Sequence, residues 1–178
     1  FLTSLSLDCK TSLPIKNFQI DSRKVTKNSV FFGLSGSNEE GSNYASDAIK
    51  KGASLVIVKR KKNSKYKPTS SKIIQVKSPE KFLIEAARIA IGRYEGKIIG
   101  VTGSNGKTTT KNILNSCISN SYSTFGNFNN EIGLPLCVLE LDSKTSTAIF
   151  EMGAAKSGDI DLLSKIINPY IGIITHIG

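Results

Sequence analysis

The second half of the chain contains a short glycine-rich segment whose residue types suit a phosphate. It reads Gly103-Ser104-Asn105-Gly106-Lys107-Thr108, and Thr109 follows. Glycines let backbone N–H groups approach a phosphate closely, and a helix that begins here points its positive end at the same anion. Lys107 would add a mobile positive charge, and the Thr108 hydroxyl would ligate Mg²⁺. The segment therefore predicts a site for ATP or a close relative over residues 103–109.

The segment departs from the commonest phosphate-loop pattern at one position. That pattern has a glycine five residues before Gly106, where this chain has Val101 and places Gly103 instead. A glycine-rich turn without a ligand is the alternative interpretation. The apolar run before the segment and the helical spacing after it favour the nucleotide loop.

A carboxylate at the end of another apolar run is the second candidate. Residues 147–152 predict a buried strand, and Glu151 lies near its end, close to Gly153. Open parallel sheets bind ligands at the carboxyl ends of their strands. We therefore expect Glu151 to lie opposite Thr108 and to hold Mg²⁺ with it, which makes Lys107 and Glu151 the candidate catalytic residues. A strand-end acid that faces water is the alternative.

An asparagine-rich segment precedes that strand. Residues 126–135 read GNFNNEIGLP. Taken alone, the segment predicts a turn before a short helix, because Asn and Gly tolerate left-handed backbone geometry. This interpretation is structural and assigns the segment no chemistry.

The elements that would position these residues alternate between strands and helices, which indicates an α/β fold. In the first half, apolar runs at 30–34, 55–58 and 73–76 predict buried strands, and helical spacing over 44–49 ends at Gly52. Strand, helix and strand within about 30 residues form a βαβ unit with parallel strands. We expect a small amino-terminal domain over residues 1–78.

The second half predicts a P-loop-type ATPase domain with a parallel sheet over residues 97–178. Ser78-Pro79-Glu80 has the residue types of a helix start, so residues 79–96 form a linking helix. Strands are expected at 98–102 and 171–175, and a helix at 157–167. The helix after the loop is expected to turn an apolar side to the sheet. The residues of that side are Ile113, Leu114, Cys117 and Ile118.

Composition and charge narrow the function classes. No apolar run approaches the length of a membrane span, and Cys9, Cys117 and Cys137 show no metal or disulfide spacing, which fits a cytoplasmic protein. The net charge is +10, with 15 Lys/Arg against 6 Asp/Glu before residue 81 and 9 against 8 after it. The basic run at 59–67 has no nucleic-acid-binding framework, and we interpret it as a solvated loop. We expect small-molecule substrates, no nucleic acid and a monomer.

Several separate segments resemble, in order, those of the Mur ligases of peptidoglycan synthesis. They are DSRKV at 21–25, FFGLSG at 31–36, VTGSNGKTTT at 101–110, GNFNNEIG at 126–133, EMGA at 151–154 and PYIGIIT at 169–175. The segment at 101–110 resembles the family's own ATP loop, which accounts for Val101. The segment at 126–133 resembles the corresponding segment of those family members that add D-alanyl-D-alanine to UDP-N-acetylmuramoyl-tripeptide.

The resemblance implies an ATP-dependent ligase that forms an amide bond through an acyl phosphate, with ATP and Mg²⁺ as cofactors. It implies that Ser22, Arg23, Asn129 and Asn130 bind substrate, the first two nearest the UDP end. Family members continue with a carbamylated lysine and a third domain. We therefore expect the chain to be a truncated piece that does not itself catalyse ligation.

Two positions depart from the family, and three alternatives stay open. The chain has Gly41-Ser42 where the family has a Gly-His pair, and His176 where the family more often has Asn. The alternatives are a sibling ligase that adds the third amino acid, a P-loop kinase or GTPase, and a basic nucleic-acid-binding module. The segment at 126–133 argues against the sibling.

Overall fold

A computed structural model describes residues 15–36, 39–60 and 72–178 of the chain. The chain divides into two compact units, and the division falls between Leu83 and Ile84. Each unit contains a parallel four-stranded sheet. Cys9 and most of the predicted basic loop, residues 61–67, lie outside the described residues.

The first unit is built on a sheet in which the strands follow chain order. Its elements are β1 (Asn17–Gln19), β2 (Ser29–Gly33), α1 (Ala45–Lys50), β3 (Leu55–Lys59) and β4 (Ile73–Val76). All three strand pairings are parallel, and Phe31 of β2 lies beside Val56 of β3. The predicted βαβ unit is confirmed. Gly52, with a φ of 95°, ends the helical segment as expected.

The helix α2 (Pro79–Ile91) starts where the sequence predicts. The Ser78 hydroxyl accepts a hydrogen bond from the Lys81 N–H at 3.2 Å and donates one to the Glu80 carboxylate at 2.7 Å. These bonds satisfy a free N–H group of the first turn. The division between the two units falls inside this helix.

The second unit is a sheet with the strand order β6-β7-β5-β8, all parallel. Its strands are β5 (Lys97–Thr102), β6 (Ser121–Ser123), β7 (Thr147–Glu151) and β8 (Ile171–Ile174), and its helices are α3 (Lys107–Cys117), α4 (Gly133–Leu139) and α5 (Asp159–Ile167). Alternate residues of β7 serve opposite faces, because Phe150 packs with Leu134 and Leu163 while Ile149 packs with Leu114. The α/β architecture with parallel sheets is confirmed.

The predicted apolar side of α3 is partly wrong. Leu114 and Ile118 pack against the sheet, but Ile113 is 58% exposed and Cys117 is also exposed. Ile113 and Cys117 lie four residues apart and form a separate stripe that faces outward. Among the described residues of this helix, the one that is buried is Lys111, which the sequence did not predict.

The start of one helix and the presence of two short strands also differ from the expectation. The helix α5 begins at Asp159, two residues later than predicted, because Gly158 has a left-handed backbone with a φ of 91°. The short strands β1 and β6 were not predicted, since neither contains an apolar run. None of the helices in the described part of the chain has the length and apolar character needed to cross a bilayer.

Candidate functional site

The glycine-rich segment forms the turn between β5 and α3, as the sequence predicts. Gly106 precedes the first helical residue with a φ of 81°, and Gly103 has a φ of 137°. Both values lie in the region that favours glycine. The amino end of an 11-residue helix therefore faces the loop, and its free N–H groups and dipole favour an anion there.

The segment that follows β8 fastens the loop. The Ser104 N–H donates to the His176 carbonyl at 2.7 Å, and the Thr175 hydroxyl donates to the Thr102 carbonyl at 3.1 Å. A Cβ atom at Gly103 would lie 2.8 Å from the His176 carbonyl oxygen and would also meet the Thr175 hydroxyl. Gly103 is thus required both by its φ and by this close approach.

Lys107 lies over the loop that it is expected to serve. Its Nζ donates to the Gly103 carbonyl at 2.6 Å and to the Ser104 carbonyl at 3.2 Å. These bonds hold the ammonium group against the backbone of the loop. A positive charge in this position can meet a phosphate that the loop binds.

Glu151 is brought next to Thr108, as the sequence predicts. The Thr108 hydroxyl donates to Glu151 Oε2 at 2.8 Å, and Glu151 is only 4% exposed. The contact arises because β5 and β7 are adjacent parallel strands in which Val101 pairs with Glu151. The carboxyl ends of the two strands therefore present the loop and the carboxylate on the same edge.

The side chain of Asn129 completes the surroundings of this carboxylate. Its Nδ2 donates to Glu151 Oε1 at 2.9 Å, and its main-chain carbonyl accepts from the Gly153 N–H at 2.7 Å. Asn129 was predicted as a substrate-binding residue, and the structure places it on the carboxylate. The sequence contained no spacing signal for this contact, since the two residues lie 22 positions apart.

The donor set fits Mg²⁺. Thr108 and Glu151 supply hard oxygen atoms, which Mg²⁺ prefers. The described residues contain no cluster of three or more His, Cys, Asp or Glu side chains that could hold a metal. A cation here would have one protein carboxylate, and Mg²⁺ in nucleotide sites typically combines one or two carboxylates with phosphate and water oxygens.

Asn130 has a structural contact of its own. Its Oδ1 accepts from the N–H groups of Ile132 at 3.2 Å and Gly133 at 2.8 Å, at the start of α4. This satisfies N–H groups that a helix start leaves free. The expected turn before a short helix is therefore confirmed. A part for Asn130 in substrate binding stays a prediction.

A cavity of about 510 Å³ lies beside this site in the second unit. It is lined by Lys107, by Asn129 to Glu131, and by Gly153 to Ala155 with residues of α5.

One of these α5 residues is Asp159, whose carboxylate accepts from the N–H groups of Ala155 and Lys156, each at 2.9 Å. The bond from Ala155 is the main cause of a lowered pKa of Asp159.

The two candidates in the first unit, Ser22 and Arg23, lie in a short 3₁₀ turn (Ser22–Lys24). Arg23 forms a two-pronged contact with Asp21, with Nη2 at 2.8 Å from Oδ2 and Nε at 2.9 Å from Oδ1. This hydrogen-bonded guanidinium lowers the pKa of Asp21 to about 2. The Ser22 carbonyl accepts from Lys51 Nζ at 2.9 Å. Their role in substrate binding stays a prediction.

Comparison with known proteins gives consistent matches for both units. The profile of the Mur ligase family, catalytic domain, matches residues 14–90, and that of the Mur ligase middle domain matches residues 101–178. The UDP-N-acetylmuramoyl-tripeptide--D-alanyl-D-alanine ligase of Bacillus subtilis is 37% identical over 161 residues, which cover 89% of this chain and 35% of that protein. The protein of the same name from Borreliella burgdorferi is 34% identical, with coverages of 90% and 37%.

The fold is also similar to that of a solved relative. The crystal structure of the MurF ligase from Thermotoga maritima in complex with ADP superposes with a TM-score of 0.81 at 34% identity. The match covers 94% of this chain and 39% of that one. The chain therefore spans well under half the length of each of these relatives.

Proposed function

The chain belongs to the Mur ligase family, and we propose that it acts in the ATP-dependent joining of D-alanyl-D-alanine to UDP-N-acetylmuramoyl-tripeptide. The names of the relatives from Bacillus subtilis and Borreliella burgdorferi support this pair of substrates. The chain covers about a third of those proteins, so the reaction is carried over as a proposal. Residues of the second unit would supply the nucleotide end of the site.

One observation carries the proposal at the level of chemistry. Thr108, which follows Lys107 in the phosphate loop, contacts the buried Glu151 carboxylate at 2.8 Å. A phosphate loop, the Lys107 ammonium group and a carboxylate that can hold a metal ion lie at one edge of the sheet. These are the parts that phosphoryl transfer from ATP needs. A nucleotide loop without an acid beside it would bind phosphate but would lack a protein carboxylate for the metal.

The first step of the proposed reaction is transfer of the γ-phosphoryl group of ATP to the terminal carboxylate of the tripeptide. The bond between the β–γ bridging oxygen and the γ-phosphorus breaks, ADP leaves, and an acyl phosphate forms. Lys107 and the N–H groups of the loop stabilise the negative charge on the transferring group. The amine of D-alanyl-D-alanine then attacks the acyl carbon, loses a proton and expels phosphate.

Mg²⁺ would be held by the Thr108 hydroxyl and the Glu151 carboxylate. It would supply positive charge that polarises the phosphoryl oxygens. Asn129 donates to the second carboxylate oxygen at 2.9 Å and fixes the orientation of that carboxylate. The cavity beside Lys107 has the volume of a small-ligand site, and we assign it to the reacting end of the peptide substrate.

The first unit is proposed to take the UDP end of the substrate, with Ser22 and Arg23 nearest to it. The excess of Lys and Arg in the first half of the chain suits a diphosphate. Substrates of this kind and ATP belong to the cytoplasm, and we propose that the protein works there as a monomer.

A chimera tests the function. The matched segment of the Bacillus subtilis relative is replaced by the corresponding part of this chain, and products are identified by mass spectrometry. With Mg²⁺, ATP, UDP-N-acetylmuramoyl-tripeptide and D-alanyl-D-alanine, we expect ATP-dependent formation of the pentapeptide product. The same chimera with Lys107→Ala is the matched control and should form none. A second reaction offers UDP-N-acetylmuramoyl-dipeptide and the free third amino acid. A folded chimera that joins this pair, and does not join D-alanyl-D-alanine to the tripeptide, would support the sibling ligase and contradict the proposal.

A further inference from the structure

Lys111 of α3 is a buried lysine for which the sequence analysis predicts no role. It is 4% exposed, and its Nζ donates to the Thr124 carbonyl at 2.6 Å. The ion pairs within the described ranges do not include it. Burying an ammonium group with a single neutral acceptor costs free energy, and an apolar side chain would pack against a sheet without that cost.

The acceptor of this bond is itself an anchored residue. Thr124 is 1% exposed, and its N–H donates to the Ile149 carbonyl at 3.0 Å. Its hydroxyl accepts from the Glu151 N–H at 3.0 Å. Thr124 therefore joins the helix of the phosphate loop to the strand residue that carries the candidate metal ligand.

These contacts close a ring. Lys111 reaches Thr124, Thr124 reaches the backbone of Glu151, and the Glu151 carboxylate accepts from Thr108 at 2.8 Å. Thr108 and Lys111 lie three residues apart, on the same side of α3. Among the described residues of the second unit, the buried polar or charged side chains are Lys111, Thr124 and Glu151, all members of this ring.

The other partner of the carboxylate, Asn129, follows a member of the ring closely in the chain. The chain runs from Thr124 to Asn129 in five residues, and the Asn129 amide donates to Glu151 Oε1 at 2.9 Å. A fixed Thr124 therefore fixes the start of the segment that contains Asn129. Loss of the Lys111 bond would loosen the carboxylate first at its backbone, where the Thr124 hydroxyl accepts from the Glu151 N–H.

We propose that Lys111 is a positioning residue that holds Glu151 in register with the phosphate loop. The proposal rests on the proposed function, because it takes Glu151 as the protein carboxylate of the Mg²⁺–nucleotide site. Lys111 acts through Thr124 and does not touch the nucleotide. Residues that orient a metal ligand from behind typically change metal affinity by about 10-fold to 100-fold when they are replaced.

The test compares Lys111→Met, which keeps the unbranched stem and removes the ammonium group, with wild type in the 178-residue chain. Calorimetry measures ADP affinity in Mg²⁺ and in EDTA. We expect the enhancement of ADP affinity by Mg²⁺ to fall about tenfold, while the affinity in EDTA changes less than about twofold. Lys165→Met is the matched control, because Lys165 is an exposed lysine of the same unit that pairs with Asp161. It should leave both affinities unchanged.

A double-mutant cycle separates positioning from general packing. If Lys111 acts through Glu151, Lys111→Met should reduce the Mg²⁺ enhancement no further in a chain that already carries Glu151→Gln. Equal losses in Mg²⁺ and in EDTA, or additive losses in the double variant, would show a structural role only and overturn the proposal.

A second variant covers the case in which Lys111→Met does not fold. Thr124→Val keeps the carbonyl that Lys111 binds and removes the hydroxyl that Glu151 binds. It should reduce the Mg²⁺ enhancement in the same way, and an unchanged enhancement would contradict the ring. A wild-type chain without any Mg²⁺ enhancement overturns the proposed function and this inference with it. An enhancement that Glu151→Gln removes and Lys111→Met leaves intact overturns the inference alone.

Discussion

The Thr108 hydroxyl and the Glu151 carboxylate lie 2.8 Å apart, although 43 residues separate them in the chain. The first belongs to the helix that follows β5 and the second ends β7, the parallel neighbour of β5. The pair joins the phosphate loop to the acid that would complete its metal site.

Lys107→Ala should weaken ADP binding and leave the fold intact. Its Nζ donates to the Gly103 and Ser104 carbonyls of the loop, and Lys107 is not among the buried core residues of the described part of the chain. Its loss should therefore remove a charge from the loop without opening the core. A hydrogen bond to a charged group is worth about 1.5–3 kcal/mol, so we expect an increase in Kd of about 10-fold to 100-fold by calorimetry. Lys144→Ala, away from the loop, is the control. An unchanged Kd for ADP would remove Lys107 from the phosphate site.

Gly103→Ala should destabilise the protein and abolish nucleotide binding. Alanine would have to adopt the native φ of 137°, which residues with a Cβ atom rarely do. Its Cβ would also lie 2.8 Å from the His176 carbonyl oxygen. Backbone strain of this kind costs about 1–3 kcal/mol before the clash is counted. Gly158→Ala is the matched control, since Gly158 has a φ of 91° but no atom within 4 Å of a new Cβ. Urea unfolding should therefore show a clearly larger loss for Gly103→Ala, and equal losses would mean that the contact with the His176 segment is unimportant.

Arg23→Ala should raise the pKa of Asp21 and weaken binding of the UDP-linked substrate. The Arg23 guanidinium holds the pKa of Asp21 at about 2, below the ordinary value of 3.8. Because the folded-state pKa is lowered, the interaction contributes above pH 3.8 and is lost as the pH falls towards 2. An NMR titration of the Asp21 carboxyl carbon should show a higher pKa in the variant than in wild type. It should stay below 3.8, because the backbone N–H of residue 23 keeps its hydrogen bond to Asp21 Oδ1.

The same Arg23 variant tests the division of labour between the two units. The affinity for UDP-N-acetylmuramoyl-tripeptide should fall while the affinity for ADP stays the same. Lys24→Ala, the next residue of the same exposed turn, is the control. Equal effects on both ligands would contradict the assignment of the UDP end to this turn.

Ile174→Lys should reduce self-association of the chain at high concentration. Ile174 is 64% exposed on β8, which lies at the edge of its sheet, and exposed apolar edge strands promote pairing between molecules. Ile113→Lys is the control, because Ile113 is 58% exposed on a helix. Light scattering should show a decrease for the strand variant and a smaller change for the helix variant. The reverse order would locate the association elsewhere.

The parts of the site that follow from sequence are those that depend on local pattern and parallel topology. The loop at 103–108 has its own glycine spacing, and Glu151 ends a buried strand, so a parallel sheet brings them to one edge. The βαβ unit and the start of α2 at Ser78 have equally local signals.

Other parts depend on contacts between distant residues and leave no local signal. The strand β6 is three residues long and contains no apolar run, so it becomes a strand only by pairing with β7. The burial of Lys111 depends on the Thr124 carbonyl, 13 residues away, while Ile113 faces outward because its stripe does not meet the sheet. A helical period identifies stripes, but packing decides which of two adjacent stripes is buried.

The most direct measurement of the central claim, that Thr108 and Glu151 hold a divalent cation beside a nucleotide, uses Mn²⁺ in place of Mg²⁺. Mn²⁺ suits the same oxygen ligands, and its electron paramagnetic resonance signal distinguishes free from bound ion. With ADP present, we predict one Mn²⁺ site per chain. Glu151→Gln should lower the Mn²⁺ affinity of this site about tenfold or more, since an amide is a poorer ligand for a hard cation than a carboxylate. Equal Mn²⁺ affinity in wild type and Glu151→Gln would contradict the claim.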